Sequence, residues 1–251
     1  MRAAGTGAVL LAVIATSAAA RPASHVFRVE DRGEGAREVW IYLPESPPRC
    51  AVLFLHGDGD LSPARYQAWL DYLTIGKECA VIFPRYQASP GTITATELQA
   101  LRASVAASFA YLRSARFGLY RDPAPASLAF VAAGFAQGGT LALYYAANAR
   151  RWGLPVPAAV DSVFPATAGV SLPALGPLPK STRLLIQVGD RDRVGGPAAG
   201  RAIWRTLASH PAKRKRFQVV HAGQGLPLQT TGAATTTFWS PLDAFIDAAL
   251  P

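Results

Sequence analysis

Residues 128–143 read Leu-Ala-Phe-Val-Ala-Ala-Gly-Phe-Ala-Gln-Gly-Gly-Thr-Leu-Ala-Leu, and they decide how the whole chain is organised. The first six residues are apolar, as in a strand that is buried on both faces. Gly134, Gly138 and Gly139 follow, and the pattern then becomes that of a helix. A strand leads directly into a helix only through a sharp turn, and small residues are needed where the two backbones approach closely. The stretch therefore predicts a strand, a tight turn and a helix.

The rest of the chain alternates between apolar segments and segments of helical spacing. Strands are predicted for residues 26–30, 37–43, 50–55, 79–83, 127–132, 158–164, 183–188 and 216–220. One helix is predicted to begin at residue 62. Others are predicted from about residue 95 to 116, from the tight turn after residue 134 to about residue 151, and for residues 197–207 and 241–250. The first two strands form a hairpin through a glycine-containing loop. Strands that alternate with helices build a mostly parallel sheet that is covered on both faces, so one α/β domain is expected.

Gly134-Phe135-Ala136-Gln137-Gly138 resembles the nucleophile elbow, Gly-x-Ser-x-Gly, of the α/β-hydrolase superfamily. The order of elements is similar to that superfamily over nearly all of residues 21–251. The resemblance implies an α/β-hydrolase fold, with a mostly parallel eight-stranded sheet and helices on both faces. The segment after the sixth strand, where lids are inserted, is short, which favours the small, nearly lidless esterases and dienelactone-hydrolase-like proteins. The sequence departs from the motif at Ala136, because a methyl group cannot attack a carbonyl.

The resemblance also implies an acid and a base. His221 directly follows the last predicted strand, the place of the general base, and Asp192 lies three residues after Gly189, the usual place of the acid. Asp190 is the second candidate for the acid. The alternative for both carboxylates is a solvated loop that pairs with neighbouring arginines. No hydroxyl is an obvious replacement nucleophile, because Ser127 and Thr140 lie away from the turn.

His56-Gly57-Asp58-Gly59 follows the third predicted strand and resembles the oxyanion loop of the superfamily. The resemblance implies that the N–H groups of Asp58 and Gln137 bind the oxyanion, with His56 and Gly57 beside the substrate. The alternative for His56 and Asp58 is ordinary turn chemistry, since Asp-Gly is a common turn pair.

Residues 1–20 are predicted to be a signal peptide. Arg2 precedes an apolar run at residues 7–14, and three alanines at residues 18–20 suit a cleavage site. The mature domain is then residues 21–251, secreted or periplasmic, with no stable membrane span; an uncleaved anchor is the alternative. An exported chain with two cysteines favours a disulfide. In the implied fold, Cys50 and Cys79 open neighbouring strands, although two small buried hydrophobes are the alternative.

The formal net charge is +9, and such an excess of basic over acidic residues can indicate an anionic partner. The arginines are scattered, apart from Lys-Arg-Lys-Arg at residues 213–216, and no nucleic-acid motif accompanies them. No metal-ligand spacing, phosphate loop or dinucleotide fingerprint is found, so no metal, no cofactor and no nucleic-acid partner are expected.

Together these features indicate a serine carboxylic-ester hydrolase type of protein that takes a small ester or acyl ligand. With Ala136 at the nucleophile position it is inactive or nearly so, and whether it is an enzyme stays open. The alternative is a pseudoenzyme that binds a small molecule. A further alternative is a basic protein that attaches to anionic envelope polymers through residues 213–216.

Overall fold

A computed structural model describes residues 28–57, 59–114 and 128–250. The predicted signal peptide at residues 1–20 lies outside the described residues. Eight strands form one sheet: β1 (Arg28–Arg32), β2 (Val39–Leu43), β3 (Cys50–Leu55), β4 (Cys79–Pro84), β5 (Ala129–Phe135), β6 (Ala159–Val163), β7 (Arg183–Gly189) and β8 (Lys215–Val220). Their spatial order is β1-β2-β4-β3-β5-β6-β7-β8. β2 pairs antiparallel with β1 and β4, and all other neighbours are parallel. The predicted fold class is confirmed.

The helices are α1 (Gln67–Asp71), α2 (Ala95–Arg113), α3 (Gln137–Trp152), α4 (Gly196–Thr206), α5 (Gly232–Ala234) and α6 (Ser240–Asp247). Shorter 3-10 turns cover Gly35–Arg37, Pro63–Tyr66, Ala212–Arg214 and Leu226–Leu228, and π-helical turns cover Tyr72–Gly76 and Thr235–Trp239. Within the described residues, no helix is both long and apolar enough to cross a membrane.

The alternation of side chains along the strands creates two cores, one on each face of the sheet. Ala51, Leu53 and Leu55 of β3 belong to the core under α2, α3 and α4, whereas Val52 and Phe54 belong to the core under α1 and α6. All six residues of β3 are buried. A strand buried on both faces must be continuously apolar, which explains why its sequence shows no polar alternation.

The predicted disulfide between Cys50 and Cys79 is confirmed. The two residues are register partners at the start of β3 and β4, and their Cα atoms lie 4.6 Å apart. This separation is within the range that a disulfide spans. The bond ties two central strands together at the amino end of the sheet.

The chain between β6 and β7, residues 164–182, contains no helix in the structure, in agreement with a minimal lid. The region before α6 lies outside the helices predicted from the sequence, yet it is helical. It contains α5 and the π-helical turn, which begin after Thr231, whose hydroxyl accepts a hydrogen bond from the N–H of Ala234 (3.2 Å). Burial of Phe238 and Trp239 against the core outweighs the weak helix propensity of this threonine- and glycine-rich stretch.

Candidate active site

The turn between β5 and α3 places a single residue, Ala136, in a backbone conformation that side chains rarely adopt. Its φ is +52° and its ψ is −121°. Such a conformation costs about 1–3 kcal/mol and persists only where the surroundings fix it. Here the N–H of Ala136 donates to the carbonyl of Val163 (2.9 Å), and its carbonyl accepts from the N–H groups of Gly139 (3.0 Å) and Ala166 (3.1 Å). The turn therefore has the strained geometry of a nucleophile elbow, with alanine at its centre.

Two glycines make this turn possible. A Cβ on Gly134 would lie 2.2 Å from the carbonyl oxygen of Gly138. A Cβ on Gly138 would lie 2.1 Å from the carbonyl oxygen of Leu55 and 2.3 Å from that of His56. These distances leave no room for any side chain, so α3 can start this close to β5 and β3 only with glycine at both positions.

A cleft of about 390 Å³ opens at Ala136. Its polar lining comes from Asp60, Arg65, Gln137 and Gln224, and its other walls are Gly57, Phe135, Ala136, Ala166, Ala168, Gly169, Val194 and Gly195. Among the described residues, no serine, threonine or cysteine lines this cleft. Thr140 lies nearby in α3, but its hydroxyl is buried and donates to the carbonyl of Ala166 (2.7 Å). A mostly apolar cleft with a few polar groups is typical of a small-molecule site.

Gln137 is the first residue of α3, where backbone N–H groups have no intrahelical acceptor and the helix dipole favours negative charge. Its side chain is buried, and Nε2 donates to the carbonyl of Gly169 (3.2 Å). This bond ties the start of α3 to the connection between β6 and β7. The predicted role of the Gln137 N–H as an oxyanion donor fits this position.

The loop after β3 is held by two buried aromatic side chains. His56 has no exposed surface; its Nδ1 lies 2.6 Å from the carbonyl oxygen of Gly57 and its Nε2 lies 2.5 Å from that of Arg85. The ring stacks on Tyr86 at a centroid distance of 4.1 Å. His56 therefore lies beneath the cleft as a support for the loop, and Gly57 lines the cleft itself. Asp58, the predicted first oxyanion donor, lies outside the described residues.

Tyr66 supports the loop after β3 and is not among the candidate site residues predicted from the sequence. Its hydroxyl accepts from the N–H of Gly57 (2.8 Å) and donates to Asp60 Oδ2 (2.5 Å), and Arg65 Nη1 donates to Asp60 Oδ1 (3.0 Å). Burial, together with the Asp60 carboxylate, raises the pKa of Tyr66 well above its usual value, so the hydroxyl stays protonated. The sequence feature that pointed to this network is the turn-like Asp-Gly-Asp at residues 58–60, because Asp60 anchors the network.

His221, the predicted base, contacts Asp190, the second candidate for the acid. His221 Nδ1 lies 2.8 Å from Asp190 Oδ2, and the two side chains are 66% and 44% exposed. The hydrogen bond to His221 is the main reason why the pKa of Asp190 lies below its usual value. Backbone bonds from Asp190 N–H to Val220 and from Arg191 N–H to Ala222 hold the two loops together. Asp190 therefore holds the imidazole of His221, and neither residue is among the described residues that line the cleft at Ala136.

Asp192, the first choice from the sequence, is placed differently. Its side chain accepts hydrogen bonds from the N–H groups of Val194 (2.8 Å), Gly195 (3.4 Å) and Gly196 (2.9 Å). These bonds satisfy N–H groups in the turn that leads into α4, including that of its first residue, Gly196. The structure thus pairs His221 with the second candidate, because Asp192 is occupied by its own loop.

No group of three or more His, Cys, Asp or Glu side chains suited to a metal ion occurs in the described part of the chain.

Neither a protein-family sequence profile nor a curated protein sequence matches the chain. Its structure, however, is similar to those of known esterases.

An α/β-hydrolase enzyme from a Medee basin deep-sea metagenome has a TM-score of 0.65 at 17% identity, over 90% of this chain and 98% of that one. Carboxyl esterase 2 of the fungus Tuber melanosporum has a TM-score of 0.63 at 18% identity, over 94% and 90%. An esterase of Pyrobaculum calidifontis has a TM-score of 0.65 at 15% identity, over 89% and 86%. The chain has the α/β-hydrolase fold.

Proposed function

We propose that this protein is an exported member of the serine carboxylic-ester hydrolase type, whose cleft binds a small ester or acyl compound with little or no turnover. The observation that carries the proposal is the strained turn at Ala136, which lies at the cleft and at the start of α3. An elbow exposes its central side chain to a ligand whose carbonyl oxygen meets the helix start. Here that side chain is a methyl group, so the ligand is held without covalent attack.

The machinery around Ala136 fits the chemistry of ester hydrolysis. With a hydroxyl at position 136, the oxygen would attack the ester carbonyl while His221 accepts its proton, and Asp190 would hold the imidazole. The N–H of Gln137, with that of Asp58, would bind the oxyanion. His221 would then return the proton to the leaving alcohol, and water would release the acyl group. Without that hydroxyl, the first step has no nucleophile.

The decisive experiment is Ala136→Ser, assayed with p-nitrophenyl acetate and longer-chain esters. Loss of the nucleophile from a model protease costs about 10⁶ in rate, so the variant should exceed the parent by roughly 10² or more. Ala136→Gly, which adds no hydroxyl, is the control and should stay at the parent's level. An organophosphonate should label only the serine variant, and at residue 136.

The same variant tests the assignment of the base and the acid. Adding His221→Ala should return the rate to the parent's level. Adding Asp190→Asn should lower it by roughly 10²–10⁴, because the imidazole loses its orienting partner. Adding Asp192→Asn should change it far less.

A pseudoenzyme that only binds its ligand is the second candidate, and the absence of a replacement hydroxyl along the described cleft favours it. The two candidates differ in the Ala136→Ser experiment. If the folded serine variant gains no activity over several acyl lengths, while small esters still raise the melting temperature of the parent, the binding protein is the better description.

The disulfide supports export, because such bonds persist in oxidising compartments. Mass spectrometry of natively expressed protein should find a start near Arg21. An intact Met1 on a cytosolic species would contradict export.

A further inference from the structure

A second concave site lies at the other end of the sheet. A groove of about 460 Å³ opens beside the first residues of β7 and β8, whereas the cleft at Ala136 lies at the carboxyl end of β5. Five basic and two apolar residues line the groove: Arg183, Lys213, Arg214, Lys215, Arg216, Leu184 and Phe245. Because the strands are parallel, the two sites face opposite ends of the sheet.

In the described part of the chain, the basic residues of this groove form no salt bridges. The register of β7 and β8 pairs Leu184 with Lys215 and Leu185 with Arg216, so Arg183, the first residue of β7, lies beside the basic start of β8. Like charges at this spacing repel each other, and a multivalent anion relieves that repulsion.

Two of the cations are held in place by the protein. Lys215 Nζ donates to the carbonyl of Leu207 (2.7 Å) and lies 4.5 Å from the centre of the Trp204 ring. Arg214 Nη1 donates to the carbonyl of Ser181 (3.1 Å). Lys213 and Arg216 are exposed. The groove therefore combines anchored charges with exposed ones that can close on a ligand.

We propose that this groove binds an oligophosphate, an anion in which several phosphate groups are linked in a short chain. Arginine forms paired hydrogen bonds with phosphate oxygens, and lysine adds point charges, so a mixed set of both suits successive phosphates. The volume lies in the range of sites for small molecules. The site is separate from the ester cleft and does not depend on the function proposed for it.

The shape of the site favours an oligophosphate over a nucleic acid. A DNA duplex is contacted by an element that projects into its grooves, but here the protein surface is concave. Single strands are bound by rows of stacking aromatic side chains, and Phe245 is the only aromatic residue among the lining residues described. The groove thus provides many charges and a single ring.

The test is calorimetric titration of the full chain with inorganic tripolyphosphate at low ionic strength. Saturable binding of one equivalent is expected, with inorganic monophosphate binding much more weakly. Lys213→Gln combined with Arg216→Gln should weaken the affinity by roughly tenfold or more, because two charge-assisted contacts are lost. Added salt should weaken binding to the parent more steeply than binding to the double variant.

The matched control is Arg102→Gln, which removes an exposed arginine of α2 that does not line the groove. Its affinity should stay within about twofold of the parent. An equal loss in Arg102→Gln would show that only net charge matters and would overturn the site. Absence of saturable tripolyphosphate binding would also overturn it. Tighter binding of a single-stranded oligonucleotide or a sulfated polysaccharide, dependent on Lys213 and Arg216, would assign the groove to a different class of ligand.

Discussion

The centre of the sheet and its β7–β8 edge contribute to the candidate site in different ways. At the centre, the turn at Ala136 is fixed by backbone bonds and by glycines that leave no space for a side chain. At the edge, His221 and Asp190 are exposed and meet through one side-chain hydrogen bond. The elbow is thus determined by packing and does not depend on whether residue 136 carries a hydroxyl. Changes that disturb the backbone of the elbow should therefore alter stability, and loss of the contact between Asp190 and His221 should alter chemistry.

The largest effect is expected from Gly138→Ala. The new methyl group would overlap the carbonyl oxygens of Leu55 and His56, which belong to backbone that cannot move aside. We expect a loss of about 4 kcal/mol or more in the free energy of unfolding, or no folded protein. Gly176→Ala is the control, because its new Cβ meets nothing within 4 Å. Urea denaturation measures both, and similar midpoints would show that the close approach at the elbow is not required.

Loss of the Cys50–Cys79 disulfide should rank second. The cysteines are 29 residues apart, and the chain-entropy relation for a loop of this length gives roughly 3–4 kcal/mol. A Cys50→Ala, Cys79→Ala variant isolates the bond, since alanine is small enough for both buried positions. Its urea midpoint should match that of the reduced parent. If it instead matched the oxidised parent, the bond would contribute nothing to the stability of the centre.

A third prediction concerns a carboxyl group buried in β6. Asp161 has no exposed surface, and burial raises its pKa to about 7, although Gln187 Nε2 donates to both of its oxygens (3.1 and 3.2 Å). Because the folded pKa lies above the unfolded value, the folded state is favoured while Asp161 is protonated. Stability falls as pH rises from about 4 to about 7 and then levels off.

Asp161→Asn removes this dependence. The shift corresponds to at most about 4 kcal/mol, and relaxation around the charge reduces the effect to on the order of 2 kcal/mol. The asparagine variant should therefore unfold at higher urea than the parent at pH 8, and at nearly the same urea at pH 4. An identical difference at both pH values would mean that ionisation of Asp161 is not the cause.

The same division between centre and edge explains what the sequence could predict. The sheet was predicted from the apolar runs, the elbow from the glycines at 134 and 138, and the disulfide from the positions of the cysteines. These features could be predicted because burial and close approach restrict the allowed residue types. The sequence alone could not decide whether Asp190 or Asp192 is the acid that pairs with His221. Both lie in one loop, and only the folded backbone shows which carboxylate is used by nearby N–H groups. Tyr66 was missed because an aromatic residue at helical spacing looks the same whether or not its hydroxyl supports a site.

The smallest effect is expected at the edge, and it separates the two carboxylates. Asp192→Asn replaces one accepting oxygen by an NH₂ group, which then faces a backbone N–H at Val194 or Gly196. We expect a loss of about 1–2 kcal/mol in the free energy of unfolding, as for a lost helix cap or a buried hydrogen bond. Asp190→Asn should leave the urea midpoint unchanged, because that side chain is exposed and bonds to His221 alone among the side chains described.

In the Ala136→Ser background the order reverses, and only Asp190→Asn should strongly reduce ester hydrolysis. If Asp192→Asn reduced hydrolysis as much as Asp190→Asn while costing no stability, then Asp192 would be the acid, and the loop would have to rearrange when ligand binds.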